Sequence, residues 1–386
     1  MLILGGNIHN GLGSVCKADL RVENGLIAQI GENLVPNPGE EVFDATGMEI
    51  LPGFVQAISS WGVNGSSTEI RPSSNDNDER SNPITPELDG FYAFNGRAAT
   101  AQQLGAFGLT SCGVAPTDNN LFGGTVAVFE VEGVNPYKML ISRNVAMMAS
   151  VTVNLKTTYG AKQIAPMTRM WIYTNFAEQL RKAAEYKEEK DKPKDDKLAA
   201  LKNVVEGKLP LFVSCDSITA IEHVKDICAS FPDLKLVIVN CFGLKGDEDW
   251  IIEKNIPLIV RTVPYTMDEY AMELDLAGIA KLADKGAQVA LSGSYSNSFA
   301  AREDMLWGCA EMMRVMHDSE RVLSMATSVP AKLLGVEDKL GSIECGKRAD
   351  LVIWSANPME TYQARIIRTY QGGVTIYKEG DEMKCL

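Results

Sequence analysis

The sequence predicts an α/β fold: a parallel sheet covered by helices, with a small β-module that both chain ends build together. Three observations predict it. The middle of the chain alternates short, fully apolar runs with helical stretches, the signature of strands buried on both faces. The first fifty residues and the last forty carry short strands and turns with little helical periodicity. The 386 residues are too many for one ordinary domain but suit a barrel of about 250 residues plus an accessory module.

Taken in order, Met1 leads directly into ILGG and a strand-like segment. A strand at 18-ADLRVEN-24 is followed by Gly25 and 26-LIAQIG-31, a hairpin signal. Two more short strands fit 41-EVFDA-45 and 48-MEILPG-53. From Gly53 to about Ser328, apolar strands are expected at 107-FGLTSCGVA-115, 210-PLFVSC-215, 235-KLVIVN-240, 257-PLIVRT-262 and 287-AQVALSG-293. Helices are expected at 96–107, 175–190, 219–231, 269–286 and 299–316. The last carries methionines at helical spacing, read as core packing and not as a cofactor pocket. The stretch 182–203 is dense in both signs of charge and reads as a solvated helix face broken near Pro193. The polar stretch 66–86 reads as a long loop at the end of the barrel where such folds place their sites. The tail returns to strands at 349-ADLVIWS-355 and 372-GGVTIYKEG-380, and no internal repeat of fixed period is evident. The segments 123-GGTV-126 and 104-LGAFG-108 read as turns.

Composition excludes several classes of function. The net charge of -13 repels phosphate backbones and anionic lipid, so neither nucleic acid nor a membrane surface is an expected partner. The longest apolar runs, such as 234-LKLVIV-239, fall far short of the roughly 20 residues a membrane helix needs. The eight cysteines form no CxxC pair, which excludes a zinc ribbon or thioredoxin-type motif and leaves them as small buried hydrophobes. Scattered cysteines and no visible leader favour a cytoplasmic location, with a mature form of an exported protein as the alternative.

Several passages together resemble the imidazolonepropionase-like branch of the amidohydrolase superfamily. At the start these are LILGGNIHNGLG, VENGLIAQIGEN and FDATGMEILPGF, and at the end SVPAKLLGVEDKLGSIECGKRADLVIW. Between them lie 83-PITPELDGFYAFN-95, 108-GLTSCGVAP-116, 123-GGTVAVFEVEG-133 and 165-APMTRM-170. The resemblance implies a (β/α)8 TIM-like barrel over 53–339 and a small composite β-sandwich from 1–52 and 340–386. It implies a site at the carboxyl ends of the strands, holding one or two divalent ions, usually zinc, that activate water for attack on a C–N bond. A bound metal lowers the pKa of water to about 7, which is what makes it a nucleophile at neutral pH.

The ligand positions that the resemblance implies are filled by other residues. The family's HxH at the end of the first strand falls on Ile58 and Ser60 in 52-PGFVQAISSWG-62. Alternate residues of a strand share a face, so such a pair aims two imidazoles at one ion; a hydrocarbon cannot ligate, and a neutral hydroxyl is a poor zinc ligand. The later histidines fall on Ser214 and Asn240, with Asp216 a neighbour, and the closing aspartate falls on Ser294, with Gly293 the alternative. Of the three histidines, His9 lies in the β-module, while His223 and His317 lie in expected helices, so each reads as structural. Glu69, Cys215, Asp216 and Cys241 remain as donors for a rebuilt site but show no recognised ligand spacing. No metal or other cofactor is therefore expected. There is no GxSxG elbow and no phosphate-binding Gly-rich loop, and Cys215 has no evident base to make it a nucleophile.

Two functions follow. One is an amidohydrolase relative that lacks the catalytic metal site and serves as a scaffold or small-ligand binder, as a homo-oligomer or paired with an active relative. The other is a metal-dependent hydrolase of C–N bonds in cyclic amides or small peptides, working through an altered site.

Overall fold

The computed structural model describes residues 1–63, 76–98, 101, 103–188, 193–239, 248–261, 275–293 and 302–382. The chain opens with β1 (Leu2–His9), β2 (Val15–Glu23), β3 (Leu26–Gly31), β4 (Val42–Asp44) and β5 (Glu49–Pro52). The β2–β3 turn carries Asn24 and Gly25 at φ 51° and 80°. A two-residue hairpin whose twist matches its strands requires that left-handed pair, which Asn-Gly adopts at least cost.

The chain then enters a second sheet. Its strands are β6 (Phe54–Ser59), β7 (Leu109–Val114), β8 (Phe122–Glu130), β9 (Leu140–Ser150), β10 (Leu211–Ser214), β11 (Leu236–Val239), β12 (Leu258–Arg261) and β13 (Val289–Ser292). They are hydrogen-bonded in sequence order, and the curved sheet nearly closes into a barrel. At the seam the Ser292 hydroxyl donates to the Ile58 carbonyl at 2.9 Å.

The helices are α1 (Pro136–Met139), α2 (Asn154–Gly160), α3 (Arg169–Glu185), α4 (Asp196–Val205), α5 (Ile218–Cys228), α6 (Glu248–Glu253), α7 (Leu276–Asp284), α8 (Asp304–Met316), α9 (Ser319–Ala326) and α10 (Ser328–Leu333). Six of them begin on a side-chain cap: Asn135, Thr168, Asp195, Ser217, Asp275 and Asp318 each accept a hydrogen bond from a backbone N–H of the first turn. The chain ends in β14 (Leu351–Trp354), β15 (Ile366–Gln371) and β16 (Val374–Lys378).

The alternation of strand side chains separates two cores. Val126, Val128, Ala146, Met148, Phe212, Val237, Val239, Ile259 and Ala290 form one cluster, the barrel interior, onto which Leu334, Val336 and Leu340 beyond α10 pack. Their strand neighbours Phe129, Met147, Leu211, Val213, Ile238, Val260 and Leu291 face outward and pack with the apolar stripes of the helices. Met305, Cys309 and Met312 of α8 belong to that outer layer, so the methionine stripe is core.

Two segments depart from the sequence reading. The stretch 123–126 is not a turn but part of β8, which runs antiparallel to both neighbours. Residues 115–121 and 131–139 link it to them, and such short links allow hairpins but not parallel crossovers, which take a dozen residues or more. Gly124 in β8 admits a neighbouring backbone: a Cβ on it, at φ 119°, would lie 2.6 Å from the Leu88 carbonyl oxygen. Where the expected helix over 96–107 is described, its last residues form a 3-10 turn at Leu104–Phe107, and 99, 100 and 102 lie outside the described residues. Gln103 before it takes φ 61°, and Gly96 and Gly105 weaken any longer helix. The charged stretch does break, between α3 and α4. The expected helix over 269–286 is described only from α7 onward, and the first part of the polar loop, 66–75, lies outside the described residues.

The end strands form one hydrogen-bonded sheet in the order β16-β15-β14-β5-β1-β2-β3, with β4 on β1. The pairing of β14 with β5, Leu351 opposite Pro52 through Trp354 opposite Glu49, joins the two chain ends. Ile3, Ile8, Leu20, Ile27, Ile50, Leu351 and Ile353 fill its core. Two polar fixtures tie this sheet to the barrel. The Gln371 carbonyl oxygen accepts from the backbone N–H groups of Val131 and Glu132, at 3.0 and 3.1 Å. The His9 ring bonds Glu320 of α9 at 2.5 Å and Glu49 of β5 at 2.8 Å. No described helix is long and apolar enough to cross a membrane.

Candidate functional site

Strand directions place the site. Because β7–β8 and β8–β9 are both antiparallel, β6, β7 and β9 through β13 all point the same way, and their carboxyl ends share one mouth. Ile58 and Ser59 end β6 and Ser60 follows; Ser214 ends β10 and Asp216 stands two residues beyond. The structure thus brings Ile58, Ser60, Ser214 and Asp216 to one end of the barrel. Asn240 and Ser294 lie outside the described residues, as do Glu69 and Cys241.

Each described position has a definite environment. Ile58 is buried within the interior apolar cluster beside Val55 and Ala57. Ser60 and Ser214 are buried and engaged in other interactions. Asp216 is committed on several sides: it accepts from the Val153 N–H at 2.7 Å and the Ser217 hydroxyl at 3.3 Å, and pairs with the Arg169 guanidinium at 3.3 Å. Cys215 packs into the outer layer, away from the mouth, as its place between Ser214 and Asp216 requires.

The mouth holds residues that sequence reasoning missed. Asp118, just past β7, accepts from the Asn154 amide at 3.0 Å. Burial pushes the Asp118 carboxyl above its ordinary range; the Arg261 guanidinium and the Asn154 amide oppose that rise, and the charge of Asp216 adds to it. Arg261 ends β12, so Asp118, Asp216, Asn154, Arg169 and Arg261 form one polar cluster contributed by four strand ends. The Trp61 indole donates to the Gln56 carbonyl oxygen at 2.8 Å, and the buried Gln56 Nε2 has no partner among the described residues. Gly293 lies against both Gln56 and Asp304; a Cβ there would stand 3.0 Å from Nε2. The sequence signal for Asp118 was the polar turn 117-TDNN-120 directly after an apolar strand. Arg169 stood in the 165-APMTRM-170 passage with no role attached.

Chemically, the cluster offers two carboxyl groups, one of them deeply buried, and two guanidinium groups, which suits binding and orienting a polar small molecule. It does not suit zinc. That ion takes imidazole, thiolate or carboxylate donors, whereas the described positions supply a hydrocarbon, two hydroxyls and a carboxylate already held by Arg169 and Val153. Among the described residues, no three His, Cys, Asp or Glu side chains are gathered as an ion would need.

The three histidines lie elsewhere. His9 joins the end sheet to α9, His223 on α5 meets the Tyr173 ring at 4.6 Å between centroids, and His317 caps α8 in the left-handed conformation.

A family model described as the amidohydrolase family matches residues 173–376. The chain is similar to the crystal structure of an amidohydrolase from Thermotoga maritima MSB8, with a TM-score of 0.88 and 26% identity, covering 98% of this chain and 99% of that one. It is 31% identical over 141 residues to an imidazolonepropionase of Thermoplasma acidophilum, across 35% of this chain and 34% of the relative. It is 47% identical over 51 residues to a 5-methylthioadenosine/S-adenosylhomocysteine deaminase of Desulforudis audaxviator, across 12% of each. The chain thus spans about a third and about an eighth of the lengths of these two curated relatives.

Proposed function

This chain belongs to the amidohydrolase family, on its imidazolonepropionase-like branch, and from that premise we propose that it binds a small polar molecule at the barrel mouth without a catalytic metal site. The observation that carries the proposal is Ile58, a hydrocarbon packed into the barrel interior where the family's first histidine would stand. With Ser60 and Ser214 at two further ligand positions, the described mouth has no means of making a metal-bound hydroxide. Asp118, Asp216, Arg169 and Arg261 recognise and orient the ligand by charge and hydrogen bonding.

The reading extends to the architecture and the partners. Residues 53–339 are the barrel domain; 1–52 and 340–386 are a composite β-sandwich. The protein works as a homo-oligomer or beside an active relative, in the cytoplasm, with no nucleic-acid partner.

The second reading, a C–N hydrolase with an altered site, is favoured by one observation. Asp118, a buried carboxyl pushed toward its protonated form, is the kind of group that serves as a general acid. A panel of lactams, hydantoins and N-acyl amino acids, assayed with and without added zinc or manganese, separates the two. The proposal expects hydrolysis no faster than buffer for every member. Turnover that rises with added metal and falls on chelation contradicts it.

A further inference from the structure

A second cleft, of about 240 Å³, lies between α8 of the barrel and the segment that follows β14 of the end sheet. Four of its walls are aromatic: Phe107, Trp307, Trp354 and Tyr362. Trp354 is buried, whereas Trp307 and Tyr362 are 49% and 80% exposed, high values for rings that size. The Trp307 and Tyr362 centroids stand 6.1 Å apart with their planes inclined at 45°, a wedge and not a closed stack. Glu303 brings a carboxylate to the same cleft, and no lysine or arginine lines it among the described residues.

These features select a charge type. The π-face of an indole or phenol is negative, and a cation within about 6 Å of the centroid is attracted to it. A cation in the cleft is attracted to a ring face within about 6 Å, and the Glu303 carboxylate adds a full negative charge. A carboxylate or phosphate ligand would meet the Glu303 charge and the negative ring faces. A neutral apolar ligand would leave Glu303 unused. The volume admits a small organic cation. We propose that this cleft is a binding site for a small organic ammonium ion, of the methylated-amine class, independent of whatever the barrel mouth binds.

Isothermal titration calorimetry of the full chain with choline chloride tests this, with 3,3-dimethylbutan-1-ol as the uncharged isostere and sodium chloride as the ionic control. The expected result is saturable binding in the millimolar range for choline and none for the alcohol or the salt. Trp307→Leu should weaken binding about 5- to 10-fold, and Tyr362→Ala and Glu303→Gln each by a smaller factor. Tyr362 and Glu303 are exposed, so those variants should fold as the parent does, which unfolding curves verify. No saturable heat with choline, equal binding of the alcohol, or choline affinity unchanged in the folded Tyr362→Ala and Glu303→Gln variants would overturn the assignment.

Discussion

Asp216→Ala lowers the unfolding free energy by about 2–4 kcal/mol, the scale of removing one partner from a buried, charge-assisted cluster. Asp216 binds the Val153 N–H, the turn into α2, at 2.7 Å and the guanidinium at the start of α3 at 3.3 Å. Its loss strands a buried donor and a cation together. The cost comes mostly from the Val153 N–H, because the Arg169 side chain is 32% exposed and water partly solvates it after the change. Urea unfolding of Asp216→Ala, Arg169→Met and the double variant measures the pair directly, and the expected coupling is about 1 kcal/mol. A loss below about 0.5 kcal/mol for Asp216→Ala, the usual range of a surface change, would show that Asp216 is free for another role. The same variant should weaken any ligand of the barrel mouth.

His9→Gln has an effect of similar size, and its pH dependence has a definite sign. His9 is 5% exposed and held between Glu320 and Glu49. Burial alone would lower its pKa, but the hydrogen bonds and charges of Glu320 and then Glu49 outweigh it, so the pKa is raised. In the unfolded chain the imidazole titrates near its ordinary value of about 6.5. The imidazolium therefore contributes its full stabilisation below that pH, and the contribution fades as pH rises through the higher folded pKa. The difference in unfolding free energy between the native protein and His9→Gln should be about 2–3 kcal/mol near pH 6. It should shrink as the solution becomes alkaline. A gap that stays constant or widens with pH contradicts the account of His9 as the charged bridge between the end sheet and α9.

What the sequence made legible follows a physical division. The Asn24-Gly25 turn, the mainly apolar strands β10 to β13 and the helices α3, α5 and α8 are each specified by residues a few positions apart, and all were readable. β8 and β9 were not. The first contains Gly123 and Gly124, which local reading takes for a turn; Gly124 admits the backbone of Leu88 and Gly123 lies against the Pro116 ring. The second carries Ser142, Arg143 and Asn144 ahead of its apolar half, and only its place in the sheet reveals one strand of eleven residues.

The site divides the same way. The strand-end placement of Ile58, Ser60 and Ser214 was legible, because an apolar strand and its end are local. The polar cluster was not, because Asp216 meets Val153 and Arg169 across 63 and 47 residues of sequence. Such pairings depend on the order in which the barrel sets its strands side by side. His9 was read as structural from its place in the β-module, yet its two carboxylate partners lie 40 and 311 residues away.

The central claim, that this barrel mouth makes no metal-bound hydroxide, is tested most directly by counting metal in the protein itself. The chain, purified without affinity tags or chelators and then dialysed against metal-free buffer, is analysed for zinc, manganese and iron by plasma mass spectrometry, with zinc absorption spectroscopy on the same sample. The account predicts metal far below one ion per chain and no defined coordination shell. One tightly held ion per chain, with protein nitrogen or oxygen ligands at about 2.0–2.2 Å, would contradict it.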